Sequence, residues 1–248
     1  MKQVEFSAAS DAGLVRRHNE DSFALVPLGS GVLLAVADGV GGSRAGEVAS
    51  DIATSTLVAL LSAGAESREV DAQTLRRALE QANASILERW QESDLEGMGT
   101  TMTAAFLSER RLVYAHAGDS RLYLFRGGRL LRITQDHSVA EELVRRGSLP
   151  PEQAEVHPQR HVLTRYLGLM PFSCDEGSEE MQEGDIVLLC TDGLTDALPE
   201  SRIQKEIEAG FDGLALRLVE AANAAGGPDN TTVVAVMVEG SEAGGTAQ

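Results

Sequence analysis

Two hydrophobic periods run through the chain. Val4, Phe6 and Ala8 alternate with polar neighbours, as do Met102, Ala104 and Phe106, then Leu112, Tyr114 and His116, then Leu122 and Leu124. A repeat of two marks a strand with one buried face, so these segments are expected to be half-buried antiparallel strands. Three runs, Val32 to Ala37, Ile186 to Cys190 and Thr231 to Val238, are almost continuously apolar and β-branched. That is the composition of strands covered on both faces.

Between them the period changes. Leu75, Leu79, Ala82, Ile86 and Trp90 recur at steps of three and four, one face of a helix. Val48, Ile52, Leu57, Leu60 and Leu61 mark another, entered from a Gly41-Gly42 turn, and Leu214, Leu218 and Ala222 mark a third. Helices covering a mostly antiparallel sheet core make an α+β fold. The stretch from Asp136 to Gly168 is polar, holds His137, His157 and His161, and has one short helical piece around Ala140 to Arg146, so it reads as a surface excursion. Residues 1–240 are expected to form a single domain, and the glycine-rich tail 241–248 to be disordered.

Composition narrows the function. A 248-residue chain with 43% apolar residues is globular, and a net charge of -17 argues against a nucleic-acid binder, which needs basic stripes. Cys174 and Cys190 make neither a disulfide framework nor a zinc motif, which fits a reducing compartment. The apolar runs fall far short of a bilayer span, and the start lacks the pattern of a signal peptide. The expectation is a cytoplasmic protein with no membrane and no nucleic-acid partner.

The acid excess gains meaning from position. The run from Gly31 to Ala37 leads into Asp38-Gly39, that from Asp185 to Cys190 into Thr191-Asp192-Gly193, and that from Leu112 to Ala117 into Gly118-Asp119-Ser120. Gly227-Pro228-Asp229-Asn230 delivers a fourth aspartate just before a strand. Each Asp-Gly pair is expected to end its strand in a sharp turn. If the strand ends converge, several carboxylates would repel unless cations join them. All-oxygen ligation selects Mg²⁺ or Mn²⁺ over zinc, and two such ions suit in-line phosphoryl transfer. Arg16 and Arg17, just ahead of Glu20 and Asp21, add a group able to grip phosphate.

These motifs resemble the type 2C, metal-dependent protein phosphatases in their small bacterial form. The matching blocks are Arg16 to Asp21, Ala37 to Gly42, Met98-Gly99-Thr100-Thr101, Gly118 to Arg121, Thr134 to Ser138, Thr191 to Asp196, and Asp229 to Thr232, in the family's order. The resemblance implies a central antiparallel β-sandwich flanked by helix pairs, with residues 136–168 as a flap. It implies hydrolysis of phosphoserine and phosphothreonine by a metal-bridging hydroxide, with Arg16, rather than Arg17, holding the phosphate. Asp38 looks like the bridging ligand of two core Mn²⁺ or Mg²⁺ ions, with Asp192 and Asp229 on the first and the Gly39 carbonyl on the second. Asp21 and Glu20 would contact the second through water, and Asp119, Asp192 and Asp196 would hold a third, weaker ion. The implied partners are phosphorylated proteins, a serine/threonine kinase or its targets, with the phosphatase a monomer. The three flap histidines are expected to be a polar loop, since carboxylates account for the ions.

One position departs from the pattern. Many bacterial members carry a histidine after Asp-Gly-x-Gly-Gly, where this chain has Ser43. Serine is a poor general acid at neutral pH. A steeper dependence on leaving-group basicity follows, testable by comparing phosphoserine-peptide with aryl-phosphate turnover in Ser43→His.

Overall fold

The computed structural model describes residues 4–29, 31–40, 44–64, 69–91, 95, 97–109 and 111–239, with Arg44 and Gly64 described in backbone alone. The Gly41-Gly42 turn, Ser43 and the 241–248 tail lie outside these residues. In chain order the strands are β1 (Val4–Asp11), β2 (Asp21–Leu28), β3 (Gly31–Val40), β4 (Gly99–Thr100), β5 (Met102–Leu107), β6 (Arg111–Ala117), β7 (Arg121–Arg126), β8 (Arg129–Arg132), β9 (Asp175–Glu180), β10 (Ile186–Cys190) and β11 (Thr231–Val238). The helices are α1 (Arg44–Gly64), α2 (Ala72–Gln91), α3 (Val139–Arg145), α4 (Pro151–Ala154), α5 (Asp192–Ala197), α6 (Glu200–Glu208) and α7 (Leu214–Ala224).

The strands make two antiparallel sheets, ordered β1-β11-β10-β7-β8 and β2-β3-β5-β6-β9, with β4 added beside β3. Alternation sorts their side chains into three layers. Val32, Leu34 and Val36 of β3 meet Val187, Leu189, Val234 and Val236 between the sheets. Leu33, Ala35 and Ala37 face outward onto α1 and α2, where Leu57, Leu75, Leu79 and Ile86 pack. On the other side, Leu188, Cys190, Val233 and Ala235 pack against Leu194, Ile203, Leu214 and Leu218 of α5, α6 and α7. The apolar runs are thus central strands with both faces covered, and the β-sandwich flanked by helices is the architecture observed. Among the described residues no helix is long and apolar enough to cross a membrane.

Several local expectations are corrected. β5 is buried at every position, because the opposite sheet covers Ala105 and Leu107 on the face that its alternation suggested was solvated, while helices cover Met102, Ala104 and Phe106. On the edge strand β1 the outcome is the reverse, and Phe6 stays 45% exposed. Asp38-Gly39 does not end its strand in a turn: β3 continues through Val40, and Gly39 and Val40 pair with Thr100 and Gly99. Asp192 opens α5 rather than a turn. Strand β9, with the sequence Asp-Glu-Gly-Ser-Glu-Glu, had no apolar period to announce it, and it pairs with β6 alone as an acidic edge.

Candidate active site

The alternation that builds the core also builds the site. Asp38 lies in phase with Val32, Leu34 and Val36, so at the end of β3 the layer between the sheets changes from aliphatic to carboxylate. Asp21 opens β2 directly opposite Asp38 in the antiparallel register. On the facing sheet, Thr232 follows the phase of Val234 and Val236, and its Oγ1 donates to Asp21 Oδ2 at 2.7 Å; Thr191 Oγ1 donates to the same oxygen at 2.9 Å. The two sheets are therefore tied across the layer through one carboxylate.

The Gly99-Thr100-Thr101 block fixes the Asp38 backbone. Thr101 N–H and Thr100 Oγ1 both donate to the Asp38 carbonyl at 2.8 Å, and Asp38 N–H donates to Thr101 Oγ1 at 2.9 Å. Thr101 Oγ1 is in turn 2.7 Å from Ser120 Oγ, reaching the Gly118-Asp119-Ser120 corner where the chain crosses from β6 to β7. Gly118 takes a φ of 125°, a left-handed conformation that glycine alone adopts readily. At Gly39 the reason for glycine is close approach instead: a Cβ there would stand 2.4 Å from the carbonyl carbon and oxygen of Gly46 in α1.

The loop ahead of β2 is held from across the sheets. Asn230 Oδ1 accepts from Glu20 N–H at 2.8 Å, and Asn230 Nδ2 donates to the carbonyls of Ala12 and His18 at 2.9 Å each. This places Arg16 beside Asp229, with Nη2 to Oδ2 at 2.6 Å. In the sequence the only sign of this role of Asn230 is its place next to Asp229.

The result is a cleft of about 430 Å³ lined by Arg16, Glu20, Asp38, Gly39, Asp119, Asp192, Asp196 and Asp229, together with His161. Asp21 lies beneath it, near Asp38, Asp192 and Asp229, and its Oδ1 is buried without a hydrogen-bond partner. Asp192 Oδ1 is likewise buried and unpartnered. Burial first, and then Asp192, Asp21 and Asp119, push Asp38 well above the ordinary carboxylate range. Burial and the charge of Asp192 do the same to Asp119. Asp21 is raised to about 7, chiefly by burial against the opposing pull of the two threonine hydroxyls. Burial and then Asp196 raise Asp192 to about 6.

Carboxylates that repel one another, with orphaned inward oxygens, fit hard divalent cations. The arrangement therefore accepts the metals that the aspartate pattern implied. His161 was expected to lie in a polar loop apart from this chemistry, but its Nδ1 stands 3.8 Å from Asp192 Oδ2 and its Nε2 3.5 Å from Asp196 Oδ2. The segment that carries it is pinned at its base: His137 N–H donates to the Gly118 carbonyl at 2.7 Å, and Thr164 N–H to the His137 carbonyl at 2.7 Å.

The chain is similar to known proteins in both sequence and fold. The protein phosphatase 2C family pattern matches residues 15–224. The serine/threonine protein phosphatase PstP of Mycobacterium tuberculosis is 40% identical over 240 residues, 95% of this chain, which spans only 45% of that protein's length. The serine/threonine phosphatase stp of Listeria monocytogenes is 37% identical over 245 residues, covering 92% of this chain and 93% of that protein. A crystal structure of the PstP catalytic domain in complex with two manganese ions superposes with a TM-score of 0.85 at 38% identity, over 96% of this chain and 99% of that one.

Proposed function

The chain belongs to the protein phosphatase 2C family, and from that premise we propose that it is a metal-dependent phosphatase of phosphoserine and phosphothreonine in proteins. The observation that carries the proposal is the convergence of Asp38, Asp192 and Asp229 in one cleft, with Asp21 and Asp119 packed against them and buried oxygens left without partners. We assign Asp38, Asp192, Asp229 and the Gly39 carbonyl to two core ions, Mn²⁺ or Mg²⁺. Asp21 and Glu20 contact them from outside, and Asp119, Asp192 and Asp196 surround a third, weaker ion. The two manganese ions of the PstP structure support this assignment.

When bound, such cations supply a water-derived nucleophile at neutral pH and offset charge on the phosphoryl group. The protein's own groups do the rest. Arg16 stands at the rim with its side chain 52% exposed, free to turn its planar fork from Asp229 onto a phosphoryl group. Asn230 holds the loop that aims it. The threonine hydroxyls of Thr191 and Thr232 keep Asp21 oriented, and Thr101 does so for the Asp38 backbone.

The substrates are phosphorylated proteins, for which we infer a bacterial serine/threonine kinase or its targets. We infer a monomeric cytoplasmic enzyme, with residues 1–240 as the catalytic domain and 136–168 as its flap; the two free cysteines fit a reducing compartment. Hydrolysis of a phosphothreonine peptide with Mn²⁺, with EDTA, and in Asp38→Ala tests the proposal. Turnover that survives EDTA or the substitution would overturn it.

A further inference from the structure

One histidine outside the carboxylate set faces it with both ring nitrogens. Donor atoms of Asp119, His161 and Asp192 all lie within 4.8 Å of one another. Asp119 is only 8% exposed, and among the described residues no donor but its own backbone N–H reaches its carboxylate. It is a buried, otherwise unpartnered group turned into this cluster. Asp192 faces the cluster too, with Oδ2 nearest His161 Nδ1.

We propose that His161 is a nitrogen ligand of the outer cation held by Asp119 and Asp192, so that this site selects manganese- or zinc-like ions over Mg²⁺. The inference deepens the phosphatase reading and rests on it. Its geometry is that of a metal-bound imidazole whose second nitrogen is held by a carboxylate. Nδ1 stands 3.8 Å from Asp192 Oδ2, while Nε2 stands 3.5 Å from Asp196 Oδ2, placed for its N–H to donate to that carboxylate and fix the ring once the site closes. Asp196 then orients the ligand instead of supplying one. With bonds of about 2.0–2.2 Å, two donors on one ion stand no more than about 4.4 Å apart, so a closing movement of roughly half an ångström suffices.

Two consequences follow. An imidazole suits Mn²⁺, Zn²⁺ and their neighbours, whereas Mg²⁺ prefers oxygen alone, so this site differs in selectivity from the core pair. His161 also belongs to the 136–168 segment and stands two residues before Leu163, which bridges to Ser138 at the segment's base. Filling the site fastens that segment over the cleft, so ion occupancy and substrate access become one equilibrium.

The test uses the full chain with ¹⁵N-labelled histidine. Zn²⁺ is expected to move the Nδ1 resonance of one imidazole, Mg²⁺ to leave it in place, and the responding signal to vanish in His161→Gln and stop responding in Asp119→Asn. In His161→Gln the weakest class of Mn²⁺ binding should weaken on the order of tenfold or more, with Mg²⁺ affinity unchanged. A His161 resonance that ignores Zn²⁺, or Mn²⁺ binding identical in His161→Gln, would overturn the proposal. Because His161 is 44% exposed, the substitution leaves the fold intact. Mn²⁺-dependent turnover of a phosphothreonine peptide, followed in parallel, reports on the phosphatase reading separately: its absence from the wild type sinks that reading, and its presence leaves the His161 result to stand or fall alone.

Discussion

Arg16 Nη2 donates to Asp229 Oδ2 at 2.6 Å, joining the candidate phosphate grip to a candidate metal ligand. The pair lies at the rim, with side chains 52% and 31% exposed, so it contributes at most about 1 kcal/mol to stability. Its importance lies in what Arg16 does once a phosphoryl group arrives. Arg16→Ala should leave the melting temperature almost unchanged and lower kcat/KM for a phosphopeptide about 10²-fold. Arg16→Lys should recover only part of that loss, because an ammonium lacks the planar fork. Unchanged kcat/KM in Arg16→Ala would remove the residue from the mechanism.

Asn230 links Arg16's loop to β11, and its amide uses both ends: Oδ1 accepts from Glu20 N–H while Nδ2 donates to the Ala12 and His18 carbonyls. At about 1 kcal/mol per bond, Asn230→Ala should cost roughly 2–4 kcal/mol. Asn230→Asp should cost about as much despite its matching shape, because a carboxylate would set an acceptor against two carbonyl oxygens. Both variants should lower kcat/KM, and combining either with Arg16→Ala should be less than additive, as expected of residues acting through one loop. Additive losses in that cycle would separate the two.

Gly39 and Gly46 exist for each other. A Cβ on Gly39 meets the Gly46 carbonyl carbon and oxygen at 2.4 Å, and a Cβ on Gly46 meets the Gly39 oxygen at 2.8 Å. These neighbours are backbone atoms and cannot step aside. Gly39→Ala should therefore destabilise by about 1–3 kcal/mol, measured by denaturant unfolding, and should also shift the carbonyl assigned to an ion, lowering Mn²⁺ affinity. Gly127→Ala is the control: nothing lies within 4 Å of its Cβ, so only its left-handed φ of 57° opposes it, and Mn²⁺ affinity should not change.

What the sequence disclosed follows from which features are local. The runs Val32 to Ala37 and Thr231 to Val238 declared buried central strands because both of their faces meet apolar layers. The aspartates were legible because each sits beside such a run, where a charge has no other reason to be. The extension of β3 through Asp38 and Gly39 was not, since it depends on pairing with Thr100 and Gly99 some sixty residues later. Gly46 carried no sign at all, its constraint being a contact across two elements. His161 carries no such sign in the sequence, where the carboxylates alone account for the ions; only the closure of the 136–168 segment brings it to Asp192.

The acid cluster makes stability depend on pH in a direction opposite to that of most carboxylates. Asp21 is raised to about 7 and Asp192 to about 6, and Asp38 and Asp119 stand well above their ordinary values. With chelator present, the folded state then keeps protons that the unfolded chain has already released above about pH 4. Stability is lost as pH rises through the folded values, so the metal-free protein should be weaker at pH 8 than at pH 6.5. Below that range a second group opposes the trend. His116 is buried between Thr103 Oγ1 and the Gln135 carbonyl, and its pKa is lowered to about 3, so the unfolded chain takes up a proton below about pH 6.5 that the folded one refuses. One histidine offsets only part of what four raised carboxylates lose, so the stability of the metal-free protein should already fall from pH 5 upward, less steeply below pH 6.5 than the carboxylates alone would make it. Saturating Mn²⁺ should raise the melting temperature most at pH 8, where the bare carboxylates repel most strongly, and should flatten the alkaline side of the profile. Melting curves with EDTA and with Mn²⁺ from pH 5 to pH 8.5 read this directly. A metal-free melting temperature that climbs steadily to pH 8.5 would show that these carboxylates do not share one site.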